Sequence, residues 1–323
     1  MGVHMSKDGP ATTPRIASVI CTYNRYDFLE ESLNSLLNQN MEPHEFEIIV
    51  VDNSPDFETA SAFQAKLGSE RVNYLIERIP GLSNARNVAL RTSQAEIVHF
   101  LDDDAIAKPD LLQHTLEAFD FFGEEVAAVG GQIRPRWGAP RPSWLSDNLL
   151  GYLTVVDWGG ELRLLGPTEW IAGANIAFRR DPILKLGAFS TDLGRKGGGA
   201  SLLSNEEAAL IERIAAAGLK SAYAPSASVE HYVSPERLTR EWFRRRVAWQ
   251  AVSDFIAYPE RATANVPGAW RQVSEYLMTL PPRERSIGGL FYELEESDEF
   301  KQQMDAVYNS LTAILSGKRG GIA

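Results

Sequence analysis

The 323-residue sequence contains one cysteine, Cys21. No intrachain disulfide can form, which fits a reducing compartment. Cys21 itself lies in an apolar run and reads as core. Long hydrophobic runs are also missing: no stretch approaches the roughly 20 apolar residues needed to cross a bilayer, and the N-terminus lacks the apolar core of a signal peptide. A cytoplasmic location is therefore expected. Basic residues are in deficit, with 32 Lys and Arg against 43 Asp and Glu and a net charge of -11. That balance excludes a general nucleic-acid binder, which must neutralise a phosphate backbone. Any anionic ligand has to be met by cations gathered locally. There is no internal repeat. What remains is ordinary, 44% hydrophobic and 23% charged, enough for a large globular core arranged as one domain with an extension or as two domains. Residues 1–14 read as a disordered lead-in.

The chain is organised around Phe100-Leu101-Asp102-Asp103-Asp104-Ala105. The apolar run Ile97 to Leu101 predicts a buried strand, and the acids then sit at its C-terminal mouth. Side chains alternate along a strand, so Asp102 and Asp104 share one side while Asp103 points away. Three like charges together call for a cation. Hard oxygen ligands suit Mg²⁺ or Mn²⁺, and a metal that also takes oxygens from a diphosphate needs few protein ligands. Taken alone, the triplet also fits a solvated acidic turn before Pro109.

Upstream, strand-like and helix-like stretches alternate. Ile16 to Cys21, Phe46 to Val51 and Val72 to Ile76 read as strands; Phe28 to Leu37, Phe57 to Leu67 and Asn84 to Thr92 have helical spacing. This order predicts an α/β fold with a mostly parallel sheet covered on both faces, whose ligands bind beyond the carboxyl ends of the strands. Thr22-Tyr23-Asn24-Arg25, Asp52 and Asp102 to Asp104 all lie there. A dinucleotide-dependent oxidoreductase would place G-x-G-x-x-G after the first strand, and the residues following Cys21 contain no glycine. A sugar-phosphate nucleotidyltransferase shares the sheet but would carry a glycine-rich basic loop at that point. A non-catalytic sugar-nucleotide binding module is the non-enzyme alternative.

The ordered set Val19-Ile20-Cys21-Thr22-Tyr23-Asn24-Arg25, Val50-Val51-Asp52-Asn53-Ser54, Gly81 to Asn87, Leu101 to Asp104, Gly173 to Arg180 and Ser204-Asn205-Glu206-Glu207 resembles the nucleotide-sugar glycosyltransferases of family 2, with the GT-A fold. The resemblance covers about residues 15 to 250. It implies a metal-dependent, inverting transfer from a nucleotide-diphosphate sugar, a UDP-sugar being expected, to a hydroxyl of a carbohydrate, lipid-linked or small-molecule acceptor. It also implies roles by position. Asp52 would hydrogen-bond the uracil or ribose, and Thr22, Tyr23 and Arg25 would line the same pocket. Asp104 matches the last acid of the D-x-D motif and would hold Mn²⁺ or Mg²⁺. Asp102 and Asp103 would face ribose, sugar or bound water, with Asp102 a further metal ligand. Arg86 would lie near the donor, Trp170 and Asn175 on the acceptor side. His231 matches a place where some relatives complete the metal shell.

Glu206 and Glu207 are the candidates for the base. They follow the flexible, basic stretch Gly194 to Ser201, which could close over a diphosphate, and they open a helix with an apolar face of Leu210, Ile211, Ile214 and Ala217. Ser204-Asn205-Glu206-Glu207 also fits a capping box. Family 2 usually has Glu-Asp here, with the second acid more often the base, so the pattern leans to Glu207 with Glu206 in reserve. Arg134 to Pro142 reads as an irregular loop, and Lys220 to Ala224 and Ser228 to Val233 as two short strands. The catalytic domain is expected over 15–235, its nucleotide half at about 15–130 and its acceptor half at about 131–235. Residues 236–323 form a helical extension, helical around Glu299 to Leu315 and frayed beyond. Within it, the basic aromatic stretch 236–258 would meet diphosphate, or an anionic lipid surface in peripheral contact with the inner face of a membrane.

Overall fold

The central strand β1 (Ile16–Thr22) forms because its apolar residues have two faces to fill. Ile16 and Ile20 pack on one side with Leu29, Leu33 and Phe63. Ala17 and Val19 pack on the other with Ala85, Ala89 and Leu210. Full burial of each isoleucine is worth about 1.5–3 kcal/mol. The computed structural model describes residues 13–69, 71–197, 201–294 and 297–319; most of the expected lead-in, and Gly198, Gly199 and Ala200 of the glycine-rich stretch, lie outside them. After β1 come α1 (Tyr26–Leu37), β2 (Phe46–Asp52), α2 (Phe57–Leu67), β3 (Val72–Ile76), α3 (Leu82–Thr92) and β4 (Ile97–Asp102), the alternation that the hydrophobic pattern predicts. Then follow β5 (Ala105–Ala107), α4 (Leu111–Phe122), β6 (Val126–Trp137), β7 (Arg163–Leu164), β8 (Asn175–Arg179), α5 (Arg180–Lys185), α6 (Glu206–Ala216) and β9 (Lys220–Val233). The C-terminal helices are α7 (Arg240–Ala257), α8 (Pro259–Thr263), α9 (Val266–Thr279) and α10 (Ser297–Arg319).

Among the described residues these strands form one nine-stranded sheet in the order β3-β2-β1-β4-β8-β6-β9-β5, with β7 paired to β9. β3, β2, β1 and β4 are parallel, β8 reverses, and β6 and β9 pair parallel to each other. The sheet is thus mostly parallel and flanked by helices. Register does the functional work. Thr22 lies opposite Asp52 and Cys21 opposite Asp102, so the first, second and fourth strands end at one level. β5 then pairs antiparallel with β9, Ala105 opposite His231, which carries a histidine from far along the chain to the aspartates.

Two expectations need correction. Arg134 to Trp137 is strand rather than loop, because β9 pairs alongside it, Trp137 opposite Val233. The two short strands expected at 220–224 and 228–233 are one strand, β9. Its register jumps between Gly131–Ala224 and Ile133–Val229, so Pro225 falls in a bulge where its missing N–H costs no ladder bond. At Gly131 a Cβ would sit 1.7 Å from the Ala227 carbonyl oxygen, so only glycine fits the crowded bulge.

The extension packs on the catalytic sheet's neighbours through a third core. Phe243 and Val247 of α7 meet Leu145, Leu149 and Phe300, with Trp144 edge-on to Phe243 and Phe300 at 5.6 and 4.9 Å. α10 runs on to Arg319, past the expected fraying point. Among the described residues no helix is long and apolar enough to cross a membrane.

Candidate active site

A cleft of about 920 Å³ opens at the carboxyl ends of the parallel strands. β4 delivers Asp102, and the turn after it delivers Asp103 and Asp104. Strand alternation stops at Asp102, yet the turn still brings Asp104 beside Asp102. Asp102, Asp104 and His231 each offer a ligand atom, all within 4.8 Å of one another. His231 Nε2 lies 3.1 Å from Asp104 Oδ1 and 4.0 Å from Asp102 Oδ2. Asp103 turns the other way, accepting from Thr22 Oγ1 at 2.9 Å and Arg25 Nη1 at 2.7 Å. The second Arg25 nitrogen donates to Asp104 Oδ2 at 2.7 Å. Burial raises the Asp104 carboxyl, but His231 and Arg25 outweigh it and hold the group well below its ordinary range. Burial pushes Asp103 up to about 7 against the pull of Arg25. Two carboxylate oxygens and an imidazole nitrogen are a donor set that fits Mn²⁺ or Mg²⁺.

The end of the cleft beyond β1 and β2 is lined by Thr22, Tyr23 and Arg25, the residues expected to hold the nucleotide, and by Asn53, to which no role was assigned. Asn53 Nδ2 donates to the Glu77 and Ile79 carbonyls at 2.7 and 2.8 Å, while its Oδ1 accepts from Gly81 N at 2.7 Å, fixing the loop before α3. Asp52 departs from its expected place. It is fully buried and does not line the cleft. Tyr74 and Tyr26 hydroxyls donate to its Oδ2 at 2.6 and 3.1 Å, and Ser54 N to its Oδ1 at 2.9 Å. In this arrangement it braces the strand end from behind.

Arg86, Glu206 and Glu207 form the opposite wall. Arg86 Nη1 donates to Glu206 Oε1 at 3.0 Å, and its Nη2 stands 3.7 Å from Asp102 Oδ1. Its guanidinium lies over Phe100 and Phe189, 5.8 and 5.4 Å from the ring centres, so it is clamped as well as paired. Burial lowers its pKa, yet Glu207, Glu206 and Asp102 together raise it. Glu206 Oε2 is buried without a hydrogen-bond partner. Burial and then the Glu207 charge push Glu206 up to about 8, despite Arg86. Glu207 accepts from Gly173 N at 2.9 Å and remains partly open. A Cβ at Gly173 would lie 2.2 Å from Arg86 Nη2 and 2.7 Å from Glu207 Oε1, so this glycine lets both side chains reach the wall.

The capping box does not form. Asn205 precedes the helix at φ +77° with no side-chain cap. Ser204 Oγ turns instead to Ser253 and Gln250 of α7, at 3.3 and 3.4 Å. Asn205 Nδ2 donates to Asp254 Oδ1 at 2.6 Å, and Gln250 Nε2 donates to Asn205 Oδ1 at 2.9 Å. α7 thereby holds the segment that presents the glutamates. Trp170 lines the cleft and is 37% exposed, open enough to stack on a sugar. Asn175 does not reach it. Buried in β8, its Oδ1 accepts from His99 Nε2 at 3.0 Å and its Nδ2 donates to the Ala227 carbonyl at 2.8 Å, so every polar atom is spent on the core.

Several arginines of 236–258 are taken up by partners within the chain. Arg244 donates to Glu293 and Gln303, both at 3.1 Å, and Arg240 lies 3.5 Å from Glu293 and over the Trp144 ring. Trp242 and Arg246 turn into the cleft with Arg237 of the stretch expected to meet diphosphate and Arg195 of the basic stretch before Glu206, joined by Tyr152, which had no expected role. Phe243, Val247 and Ala251 form the buried side of α7. The spacing of Trp242, Arg246 and Gln250 one position earlier was the signal for the cleft side.

The glycosyl transferase family 2 model matches residues 18–186. Glucosyl-dolichyl phosphate glucuronosyltransferase of Haloferax volcanii is 28% identical over 253 residues, covering 76% of this chain and 79% of that protein. Succinoglycan biosynthesis protein ExoM of Rhizobium meliloti is 30% identical over 242 residues, 73% of each chain. The mannosyltransferase PcManGT from Pyrobaculum calidifontis, in complex with GDP-Man and Mn²⁺, shares the fold with a TM-score of 0.54 at 20% identity, over 96% of this chain and 74% of that one. S. aureus TarS 1-349 gives 0.51 at 16%, over 95% and 92%. With the family model spanning more than half of the sequence and the same GT-A fold in solved structures, the chain belongs to glycosyl transferase family 2 and is a glycosyltransferase.

Proposed function

We propose that this glycosyltransferase moves a sugar from a UDP-sugar to an acceptor hydroxyl with inversion at the anomeric carbon, and that it requires Mn²⁺ or Mg²⁺. The observation that carries this reading is the position of Arg86, whose one guanidinium spans Glu206 and Asp102 and so ties the base candidates to the acid cluster in a single cleft. Thr22, Tyr23, Arg25 and Asn53 hold the nucleotide. Asp102, Asp104 and His231 hold the cation, which when bound offsets the charge of the leaving diphosphate. Glu207 takes the acceptor proton. As the acceptor oxygen bonds to the anomeric carbon, the bond from that carbon to the diphosphate oxygen breaks, and the diphosphate leaves with the electron pair. Glu206 is the less suited to the base role, because it is buried and holds Arg86, while Glu207 is partly open to the cleft. Glu206 orients Arg86. The acceptor is a carbohydrate, lipid-linked or small hydroxylated molecule, and the single cysteine favours work in the reducing cytoplasm.

The test is a thermal-shift screen of nucleoside diphosphates with Mn²⁺ and with chelator. A bound ligand at 100 times its dissociation constant adds about 2.7 kcal/mol of stability. UDP should give the largest shift, and chelator should remove it. No shift with any nucleoside diphosphate would overturn the donor reading.

A further inference from the structure

Of the five arginines that line the cleft, three have no carboxylate partner among the described residues. Arg25 is matched to Asp103 and Asp104, and Arg86 to Glu206 and Asp102. Arg195, Arg237 and Arg246 line the same cleft with no ion pair to a carboxylate among the described residues. They occupy different ends of it. Arg237 lies in the field of Asp104 and Asp102, beside the metal ligands. Arg246 lies in the field of Tyr152, Glu206 and Glu207, beside the base. Arg195 repels both. Arg237 stands where a donor diphosphate would meet it, and Arg246 stands apart, beside Ser204 and Gln250.

The hydrogen bonds of Arg246 support this. Its Nη2 donates only to neutral groups, Gln250 Oε1 at 2.9 Å and Ser204 Oγ at 3.3 Å, and its Nη1 is buried with no partner. The nearby Asp254 accepts from neutral donors, Asn205, Gln250 and the Tyr308 hydroxyl, and forms no ion pair with Arg246. Trp242, Arg246, Gln250, Asp254 and Tyr258 recur every four residues and line the cleft as one stripe of α7 and its C-terminal cap. We propose that this stripe receives the acceptor, and that the acceptor carries an anionic group, phosphate or carboxylate, near the hydroxyl that is glycosylated, bound by Arg246 with Arg195. The inference rests on the donor and acceptor ends assigned above.

The test uses the full chain saturated with UDP and Mn²⁺, titrated by NMR with glucose, glucose 6-phosphate and glucuronate as probes. At least one charged probe should bind about tenfold or more tighter than glucose, as expected for a charge-assisted pair; whichever of the two is preferred identifies the group. Arg246→Gln should remove the preference and leave UDP affinity unchanged, Arg246→Lys should keep most of it, and Arg237→Gln should weaken UDP instead. No preference among the probes, a preference that survives Arg246→Gln, or a loss of UDP affinity in Arg246→Gln equal to that in Arg237→Gln would overturn the proposal. Should the wild-type protein bind no nucleoside diphosphate, the donor reading fails on its own. The same titration without nucleotide then still decides whether Arg246 selects anionic probes.

Discussion

The two ends of the cleft are built differently. At the proposed donor end, Asp103 is matched by Thr22 and Arg25 and Asp104 by Arg25 and His231, while His231 Nδ1 is buried without a partner. The register of the parallel strands sets that end, so little has to move when a nucleotide binds. At the acceptor end, Glu206 Oε2 and Arg246 Nη1 are buried without partners, and the wall comes from helices α6 and α7 fastened to each other through Asn205, Gln250 and Asp254. The contrast is between an end fixed by strand register and an end fixed by helix packing; at both, the unmatched buried atoms are costly in a folded protein and are kept where a ligand or a reaction uses them.

The sharpest way to break this contrast is Glu207→Gln. Transfer should fall by about 10² to 10⁴, the usual worth of a general base, while calorimetry finds UDP affinity unchanged. Retained transfer in a folded variant would remove the distinction between the ends. Next in size, Asp104→Ala should weaken UDP binding in Mn²⁺ by about tenfold or more, with chelator adding no further loss. A variant that still responds to chelator would return Asp104 to a purely structural role.

Phe243→Ala tests whether the extension is part of the same folding unit as the cleft wall. Phe243 is fully buried between Trp144 and Phe300, and its loss should cost about 3–5 kcal/mol in denaturant unfolding. A cost below roughly 1 kcal/mol would show that α7 is only loosely attached. The smallest effect concerns Glu206. Its pKa is raised from 4.5 to about 8 in the folded protein, so the stability it contributes is complete below about 4.5 and is lost as pH rises through about 8. Glu206→Gln lacks that titration. Its melting temperature minus that of the wild type should therefore increase between about pH 5 and pH 9, by roughly 2 °C or more. A flat difference would mean that Glu206 is ionised throughout and would reopen it as the base.

The donor end was legible in the sequence because it depends on local pattern. Short apolar runs ending in Thr22, Asp52 and Asp102 announce parallel strands and where their ends lie, whereas Asp103 and Asp104 lie in the turn beyond β4, where strand alternation does not apply. Asp52 and Asn175 show the limit. Both sit at the motif positions expected, but whether a side chain faces the cleft or the core was decided by Tyr26, Tyr74, His99 and Ala227, which reach them from distant parts of the chain. The acceptor end was harder to read because it is tertiary. Arg246 and Gln250 lie one position from the apolar stripe of α7, and only the packing of Phe243 and Val247 against Leu145, Leu149 and Phe300 shows which side of the helix is left to face Glu207. The capping-box reading of Ser204 failed for the same reason, since α7 offers its hydroxyl other partners.

The most direct test of a single displacement assisted by Glu207 is the anomeric configuration of the first product, followed by NMR from a UDP-α-sugar before mutarotation or further transfer. The account requires a β-linked product. An α-linked product would contradict it, because retention demands a second displacement or attack from the same face as the leaving diphosphate.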